Sequence, residues 1–330
     1  MRNPAILFAL SSVLVACGGG GGGDAPAAAS QGAAGKTAVT LSSTNYVAVA
    51  QESMSSSNYL ADASTLAAGA EVNDADLLVR FGQAQAAKLP GWLAGAQRLV
   101  TGVTTSTTEP CAGGGSLTIV ENDLNGDGNP NPGDSATLTA NNCVFQGSTL
   151  TGGLTLAVNA FSGNIDVPPF SATMTLTFNN LTARSAAASS TGNGAMTLSL
   201  NATTTSNQVV SLKSTQFTTT STYGGATYNR TLDNYTVVVD ANATSSKTTA
   251  AGTLSSSAFE SKTVTIATPV PFERVFPQTR PSKGQATATG ANGGVVRVTA
   301  ISSTLVKIEL DANADGTFES AVTKLWSELI

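Results

Sequence analysis

The sequence contains no histidine, and this absence removes several classes of functional site. Histidine is the commonest general base and an important metal ligand, so neither a His-based triad nor an imidazole metal site can form. No S-x-x-K spacing offers a serine nucleophile with a lysine base. These gaps predict a protein that is not an enzyme. A hydrolase that uses carboxylates alone stays open as an alternative, because paired carboxylates meet only in the folded chain.

Charged residues are also scarce, at 11% of the chain, and 21 acidic residues face 16 basic ones. We therefore expect no nucleic-acid partner, since phosphates repel an acidic surface. Threonine and serine supply much of the polar surface instead, as they do at the solvent-facing positions of strands. The composition predicts a mainly β protein.

The N-terminal residues resemble the leader of a bacterial lipoprotein. Arg2 precedes a mostly apolar run at residues 5–13, which has the length of a signal peptide rather than of a membrane span. The segment LVAC at residues 14–17 resembles the lipobox, in which the chain is cut before a cysteine that receives lipid. An ordinary secretory signal with a chance cysteine is the alternative.

The lipobox resemblance implies a signal peptide at residues 1–16 and acylation, including palmitate, at Cys17. Several acyl chains on one residue anchor a protein stably without a spanning helix. Gly18 stands where an aspartate would favour retention in the inner membrane, so the resemblance implies the outer membrane, with the periplasmic or surface face open. Glycine, alanine and serine dominate residues 17–35, which predicts a flexible tether.

A helical segment is predicted at residues 36–101. Asn73 or Asp74 is expected to cap the second helix, and Pro90 is expected to end it. Apolar residues recur there at helical spacing, namely Tyr46, Val49, Ala50 and Met54 and then Leu77, Leu78, Phe81 and Ala84.

The pattern changes to alternation in the predicted β domain at residues 102–330. Apolar and polar residues alternate from Phe170 to Phe178, as in a half-buried strand. Further short runs lie at 154–160, 196–202, 235–239, 262–267, 295–300 and 305–310. Turn residues separate these runs at intervals typical of antiparallel strands. The predicted fold is a large antiparallel meander sheet or open barrel, preceded by two or three short N-terminal α-helices.

Cys111 and Cys143 are the two cysteines that remain after Cys17. In an oxidising compartment they are expected to form a disulfide, with two free buried thiols as the alternative. Residues 116–121 and 135–140 read as strands, so the bridge would close the open end of a hairpin. In the chain-entropy model such a bridge contributes roughly 3 to 4 kcal/mol.

The tip of this predicted hairpin, DLNGDGNPNPGD at residues 123–134, resembles an EF-hand calcium loop. Oxygen-bearing side chains at alternate positions can converge on a hard cation because a tight turn at Gly128 folds the segment. The loop departs from the pattern in ending on the short Asp134, in its stiff Pro130 and Pro132, and in its strand-like flanks. The predicted ligands are Asp123, Asn125, Asp127, Asn129, Asn131 and Asp134.

A second loop, DANADGTFE at residues 311–319, repeats the first half of this pattern, and Val322 stands where a last ligand would be. Aspartate, asparagine and glycine are also what any tight hairpin turn prefers, so plain turns are the alternative at both loops. Bound calcium would have a structural role. The predicted ligands here are Asp311, Asn313, Asp315, Thr317 and Glu319.

Together these features predict a non-enzymatic lipoprotein of the outer membrane, whose β sheet is a scaffold or a binding surface stabilised by calcium. The expected partners are the membrane, through the lipid anchor, and an envelope or surface protein. A carrier of lipid or of another apolar ligand is the main alternative, because a curled meander can enclose an apolar cavity.

Overall fold

Two α-helices precede a long series of β-strands in the computed structural model of the chain, which describes residues 36–64, 74–95, 103–165 and 167–329. The predicted signal peptide, the tether with Cys17, and Asn73 lie outside these residues. Helix α1 spans Tyr46–Ser64 and helix α2 spans Asp74–Gly95. Two helices agree with the prediction of two or three. Ahead of α1, Ala38 forms an isolated parallel bridge with Thr263.

The prediction that Pro90 ends the second helix is wrong, because α2 continues through Pro90 to Gly95. Proline removes one backbone hydrogen bond and crowds the preceding turn, which disfavours a helix interior. Here Leu89 and Leu93, on either side of the proline, are fully buried. Burial of these side chains stabilises the last turns by more than the missing hydrogen bond costs.

In this described part of the chain, fourteen strands form one sheet, and each strand pairs antiparallel with its neighbours in the sequence. The predicted antiparallel meander is thereby confirmed. In the strand order β1 and β14 lie at opposite edges of the sheet. The strands are β1 Val103–Pro110, β2 Ser116–Asp123, β3 Ser135–Phe145, β4 Ser148–Asn164, β5 Val167–Arg184, β6 Ala188–Ala202, β7 Gln208–Tyr223, β8 Ala226–Ala241, β9 Ser245–Ser256, β10 Thr263–Val275, β11 Lys283–Thr289, β12 Val295–Ala300, β13 Leu305–Asp311 and β14 Ser320–Leu325.

Strand β5 shows how the alternating sequence produces one buried face. Met174, Leu176 and Phe178 are buried, while the threonines between them face the other side. Two exposed asparagines follow, and the pairing with β6 shifts register between Phe178 and Leu181. Because one inserted residue reverses the side on which later residues lie, this irregularity returns Leu181 to the buried face.

Both helices share a single hydrophobic core with the buried face of the sheet. Helix α2 packs closely there, since a Cβ atom added at Gly82 would lie 2.8 Å from Cδ2 of Leu176. Helix α1 contacts β7 to β9 and β11 to β13, whereas α2 contacts β2 and β4 to β7. Among the described residues, no helix is both long enough and apolar enough to cross a membrane.

Polar contacts hold α1 against β8 and β9. Arg230 forms an ion pair with Glu52, and the hydroxyl of Ser256 donates to the same carboxylate at 2.8 Å. The Tyr235 hydroxyl lies 2.7 Å from the hydroxyl of Ser57, and burial raises the pKa of Tyr235 to about 12. The buried helix surface is therefore tied to the sheet at specific points, which apolar packing alone would not specify.

The predicted disulfide between Cys111 and Cys143 is confirmed, with their Cα atoms 5.4 Å apart. Cys111 follows β1, and Cys143 lies in β3 just beyond the last residue paired with β2. The backbone N–H of Val144 donates to the carbonyl of Gly114 at 2.9 Å, which brings the two segments together. The bridge closes the open end of the β2–β3 hairpin, opposite the loop at residues 123–134.

Candidate metal centre

Two loops of similar design connect β2 to β3 and β13 to β14. Each loop begins with an aspartate that is the last residue of its strand, and both aspartates are buried, with 0% exposure for Asp123 and 4% for Asp311. The N–H of Gly128 donates to Oδ2 of Asp123 at 2.8 Å. The equivalent N–H of Gly316 donates to Oδ2 of Asp311 at 2.9 Å. The first carboxylate thus closes the turn in the same way in both loops.

The middle of the first loop is organised around Asp127. Its N–H donates to Oδ1 of Asn125 at 3.1 Å, and the Asn125 amide donates back to Oδ2 of Asp127 at 3.0 Å. The N–H of Asn129 donates to Oδ1 of Asp127 at 2.7 Å. This backbone hydrogen bond, followed by the side-chain amides of Asn131 and Asn125, holds the pKa of Asp127 below its ordinary value.

The second loop repeats this arrangement around Asp315. Its N–H donates to Oδ1 of Asn313 at 3.0 Å, and the Asn313 amide donates to Oδ2 of Asp315 at 3.1 Å. The N–H of Thr317 donates to Oδ1 of Asp315 at 2.7 Å. This backbone hydrogen bond and the Asn313 amide lower the pKa of Asp315. Hydrogen bonds within each loop therefore stabilise the ionised form of Asp127 and of Asp315.

The two loops differ in how completely they satisfy their own carboxylates. In the first loop the N–H of Gly126 donates to Oδ1 of Asp123 at 2.7 Å, so both oxygens of this buried group have backbone donors. Asp134 accepts in the same way from the N–H groups of Leu124 and Asn131, at 3.0 and 2.7 Å. The first loop is a turn closed by its own backbone donors.

In the second loop one carboxylate oxygen is left without a donor. Oδ1 of Asp311 is buried and has no hydrogen-bond partner among the described residues. Ala314 takes the place of Gly126, and both have a left-handed backbone, with φ of 61° and 71°. A buried carboxylate oxygen without a hydrogen-bond donor destabilises the folded protein, so a cation or a donor bound at this oxygen would stabilise it.

Three acidic side chains converge at this loop. Carboxylate oxygens of Asp311, Asp315 and Glu319 all lie within 4.8 Å of one another, and no other such group of three occurs in the described part of the chain. Glu319 is oriented by the N–H of Ala312, which donates to its Oε2 at 3.0 Å. Three carboxylates at this spacing repel one another unless a positive charge lies between them.

Oxygen donors of this kind suit a hard divalent cation. Calcium accepts six to eight oxygen ligands from carboxylates, amide and backbone carbonyls, and water. Asn313 and Thr317 belong to the same turn and complete the predicted ligand set there, although neither is part of the acidic group. At the first loop Asp123, Asp127 and Asp134 do not form such a group, and a metal there stays a prediction.

The sequence did not indicate how the second loop is held against the sheet. The guanidinium carbon of Arg297 lies 3.7 Å from the centre of the Phe318 ring. Arg297 and Lys307 both form ion pairs with Glu309, at 2.8 and 2.7 Å. Arg297 of β12 and Glu309 of β13 are cross-strand partners. This register allows Arg297 to contact both Glu309 and the Phe318 ring of the second loop.

The chain matches no known protein family, and no curated protein or solved structure is similar to it. A function must therefore follow from the residues themselves. The features that carry chemistry are the acidic group of the second loop and the lipobox-like leader.

Proposed function

We propose that this chain is a lipid-anchored lipoprotein of the outer membrane, without enzymatic activity, whose last hairpin loop binds calcium as a structural ion. The sheet would serve as a scaffold or as a binding surface for an envelope or surface protein. The single observation that supports the metal is the donorless Oδ1 of Asp311 within the group formed with Asp315 and Glu319.

Calcium would bind carboxylates that the loop already holds close together. Asp311 is fixed by the N–H of Gly316, Asp315 by the N–H of Thr317, and Glu319 by Ala312. A site whose ligands are held before the ion arrives loses little conformational entropy on binding. Two of the three acidic side chains are exposed, however, so the affinity expected is that of extracellular modules, about 10⁻⁴ to 10⁻³ M.

The position of the loop explains why such an ion would matter to the fold. Within the described ranges, strand β14 pairs with β13 alone and lies at the edge of the sheet. The loop is the covalent connection that delivers the chain into β14, and Glu319 immediately precedes the strand. An ion that joins Asp311 at the end of β13 to Glu319 would hold the start of the edge strand against β13.

Isothermal titration calorimetry of the calcium-stripped chain, together with melting curves with and without calcium, tests the metal. We expect saturable binding and a higher melting temperature for the wild type and for Asp240→Asn, which removes a surface carboxylate on β8. Asp311→Asn should lose both effects. Absence of heat up to millimolar calcium, or unchanged binding by Asp311→Asn, would overturn the calcium proposal.

The lipid anchor is supported by the leader alone, and a separate experiment tests it. Mass spectrometry of the N-terminal peptide from bacterial membranes should show a chain that starts at Cys17 and carries acyl groups. Cys17→Ser should move the protein from the membrane fraction to the soluble fraction. A mature chain that begins elsewhere, or an unmodified Cys17, would contradict the anchor while leaving the calcium result untouched.

A further inference from the structure

A short N-terminal segment, residues 37–41, joins the sheet before α1 begins. The N–H of Val39 donates to the carbonyl of Thr263 at 2.9 Å, and the N–H of Thr263 donates to the carbonyl of Thr37 at 3.0 Å. Val39 and Leu41 are buried, each with 4% exposure. In the sequence this N-terminal segment lies between the predicted tether and α1, so it is where the tether meets the described part of the fold.

The turn between β11 and β12, residues 290–294, also holds this segment. The N–H of Ala291 donates to the carbonyl of Val39 at 2.7 Å. A Cβ atom added at Gly290 would collide with the same carbonyl oxygen and would lie 2.9 Å from Cγ of Leu41. The lack of a side chain at Gly290 therefore allows the N-terminal segment to lie directly against the turn.

The β11–β12 turn lies on the second loop as well. A Cβ atom added at Gly294 would lie 3.0 Å from the carbonyl oxygen of Ala312 and 3.4 Å from that of Asp311. One added at Gly293 would lie 3.4 Å from Cβ of Ala314. Gly294 is buried, and its backbone packs on the start of the loop. The turn is thus in contact with both the candidate metal loop and the N-terminal segment.

We propose that calcium in the second loop tightens the attachment of the N-terminal segment to the sheet, through the β11–β12 turn. This inference rests on the calcium site proposed above. Without the ion, repulsion among the carboxylates of Asp311, Asp315 and Glu319 loosens the loop on which the turn lies. With the ion bound, the loop is fixed, and the turn keeps its hydrogen bond to Val39.

Occupancy of the loop then sets how often the N-terminal segment detaches from the sheet. Detachment would lengthen the free chain that precedes α1 and so extend the predicted tether. A ligand that binds only the attached state slows detachment by about elevenfold at most when its concentration is ten times its dissociation constant. The coupling is reciprocal, so attachment of the segment also raises the affinity of the loop for calcium.

Amide hydrogen exchange, resolved by residue, tests this coupling, and calorimetry on the same sample reports calcium binding itself. The sample is the full mature chain with Cys17→Ser, secreted so that the disulfide forms. Calcium at ten times its dissociation constant should slow exchange of the Val39 amide by about fivefold to tenfold. The Val144 amide of β3, which donates to Gly114, is the internal control, because β3 and β13 lie far apart in the strand order. It should exchange equally in calcium and in chelator.

Two glycine variants show whether the effect passes through the turn. Gly290→Ala adds a Cβ atom against the carbonyl of Val39 and should remove the calcium response of the Val39 amide, while the loop still binds calcium. Gly91→Ala on α2 is the matched control, because nothing lies within 4 Å of the added atom, and it should respond as the wild type does. Asp311→Asn should lose both the binding and the response. Cooperative melting of each variant establishes that it is folded.

The possible results separate the coupling from the calcium site. Slower exchange at Val39 but not at Val144 supports the coupling. Calcium binding without a change at Val39, equal slowing of both amides, or a full response in Gly290→Ala would overturn the coupling and leave the calcium site in place. Absence of calcium binding by the wild type would overturn the calcium site, and the coupling with it.

Discussion

Glu52 of α1 and Arg230 of β8 form a bidentate ion pair, with Nε to Oε2 at 2.7 Å and Nη2 to Oε1 at 2.9 Å. The two residues are 178 positions apart in the chain. Only 12% of the Glu52 side chain and 20% of the Arg230 side chain are exposed. The pair therefore connects the N-terminal helix to the middle of the sheet at a largely buried point.

Loss of this pair should destabilise the protein. Glu52→Gln removes the negative charge that Glu52 places beside the Arg230 guanidinium and should lower the free energy of unfolding by about 2 kcal/mol, measured by guanidinium denaturation. Glu260→Gln is the matched control, because it removes an exposed ion pair with Lys262 and should change stability little. Equal losses of stability in the two variants would show that the buried Glu52–Arg230 pair contributes no more than the exposed Glu260–Lys262 pair.

The same pair predicts a pH dependence. Burial raises the pKa of Glu52, but the hydrogen bond and charge of Arg230 and the hydrogen bond from Ser256 outweigh it and hold the pKa below the ordinary value of 4.5. A lowered folded-state pKa means that the stabilisation is complete above 4.5 and is lost as the pH falls through the folded-state value. The stability gap between wild type and Glu52→Gln should narrow below pH 4.5, and a constant gap would contradict this assignment.

The disulfide should contribute to stability through the unfolded state. Its cysteines are separated by 32 positions, and replacement of Cys111 and Cys143 by serine should lower the free energy of unfolding by roughly 3 to 4 kcal/mol. Chemical denaturation of the double variant measures this change. Addition of a reductant should bring the wild type to the same value and leave the variant unaffected. A variant as stable as the oxidised wild type would contradict the entropic estimate.

The two loops should respond differently to loss of their first aspartate. Asp123 accepts backbone hydrogen bonds at both oxygens, so Asp123→Asn turns an amide toward a backbone donor and should cost about 1 to 3 kcal/mol. Melting curves should show this loss equally in calcium and in chelator. A loss confined to calcium-containing buffer would instead assign a metal to the first loop, as the sequence pattern first suggested.

Exchange of the residues at the fourth loop position should have opposite effects. Ala314 has φ of 61°, where a Cβ atom is strained, and Ala314→Gly should raise the free energy of unfolding by up to about 1 kcal/mol. Gly126→Ala introduces the same strain at φ of 71° and should lower stability by a similar amount. Thermal melting in chelator measures both changes without interference from bound ions. Changes of the same sign would show that backbone strain does not decide stability at this position.

Local patterns predicted much of this fold, because period-two alternation depends only on which residues are neighbours. The alternation from Phe170 to Phe178 correctly marked part of β5, but the strand extends from Val167 to Arg184. The extension passes two exposed asparagines that break the alternation, and a register shift between strands accommodates them. The prediction that Pro90 ends α2 failed for a related reason. Burial of Leu89 and Leu93 in the folded protein outweighs the local tendency of proline to end a helix.

The candidate sites were less predictable. The first loop carries the fuller ligand pattern, yet the structure brings three carboxylates together only at the second. At the ninth loop position the first loop has Asn131 where the second has Glu319, and the N–H of Gly126 already donates to Oδ1 of Asp123.

The sequential strand order has a consequence for how the chain folds during synthesis. Each hairpin forms from adjacent residues, so the sheet can lengthen strand by strand as the polypeptide emerges, with little loop-closure entropy at each step. Helix α1 emerges early, but its contacts extend to β13, near the end of the chain. We expect pulsed hydrogen exchange during refolding to show protection of the hairpin amides before those of α1. Helix α1 would then be among the last elements to form its native contacts.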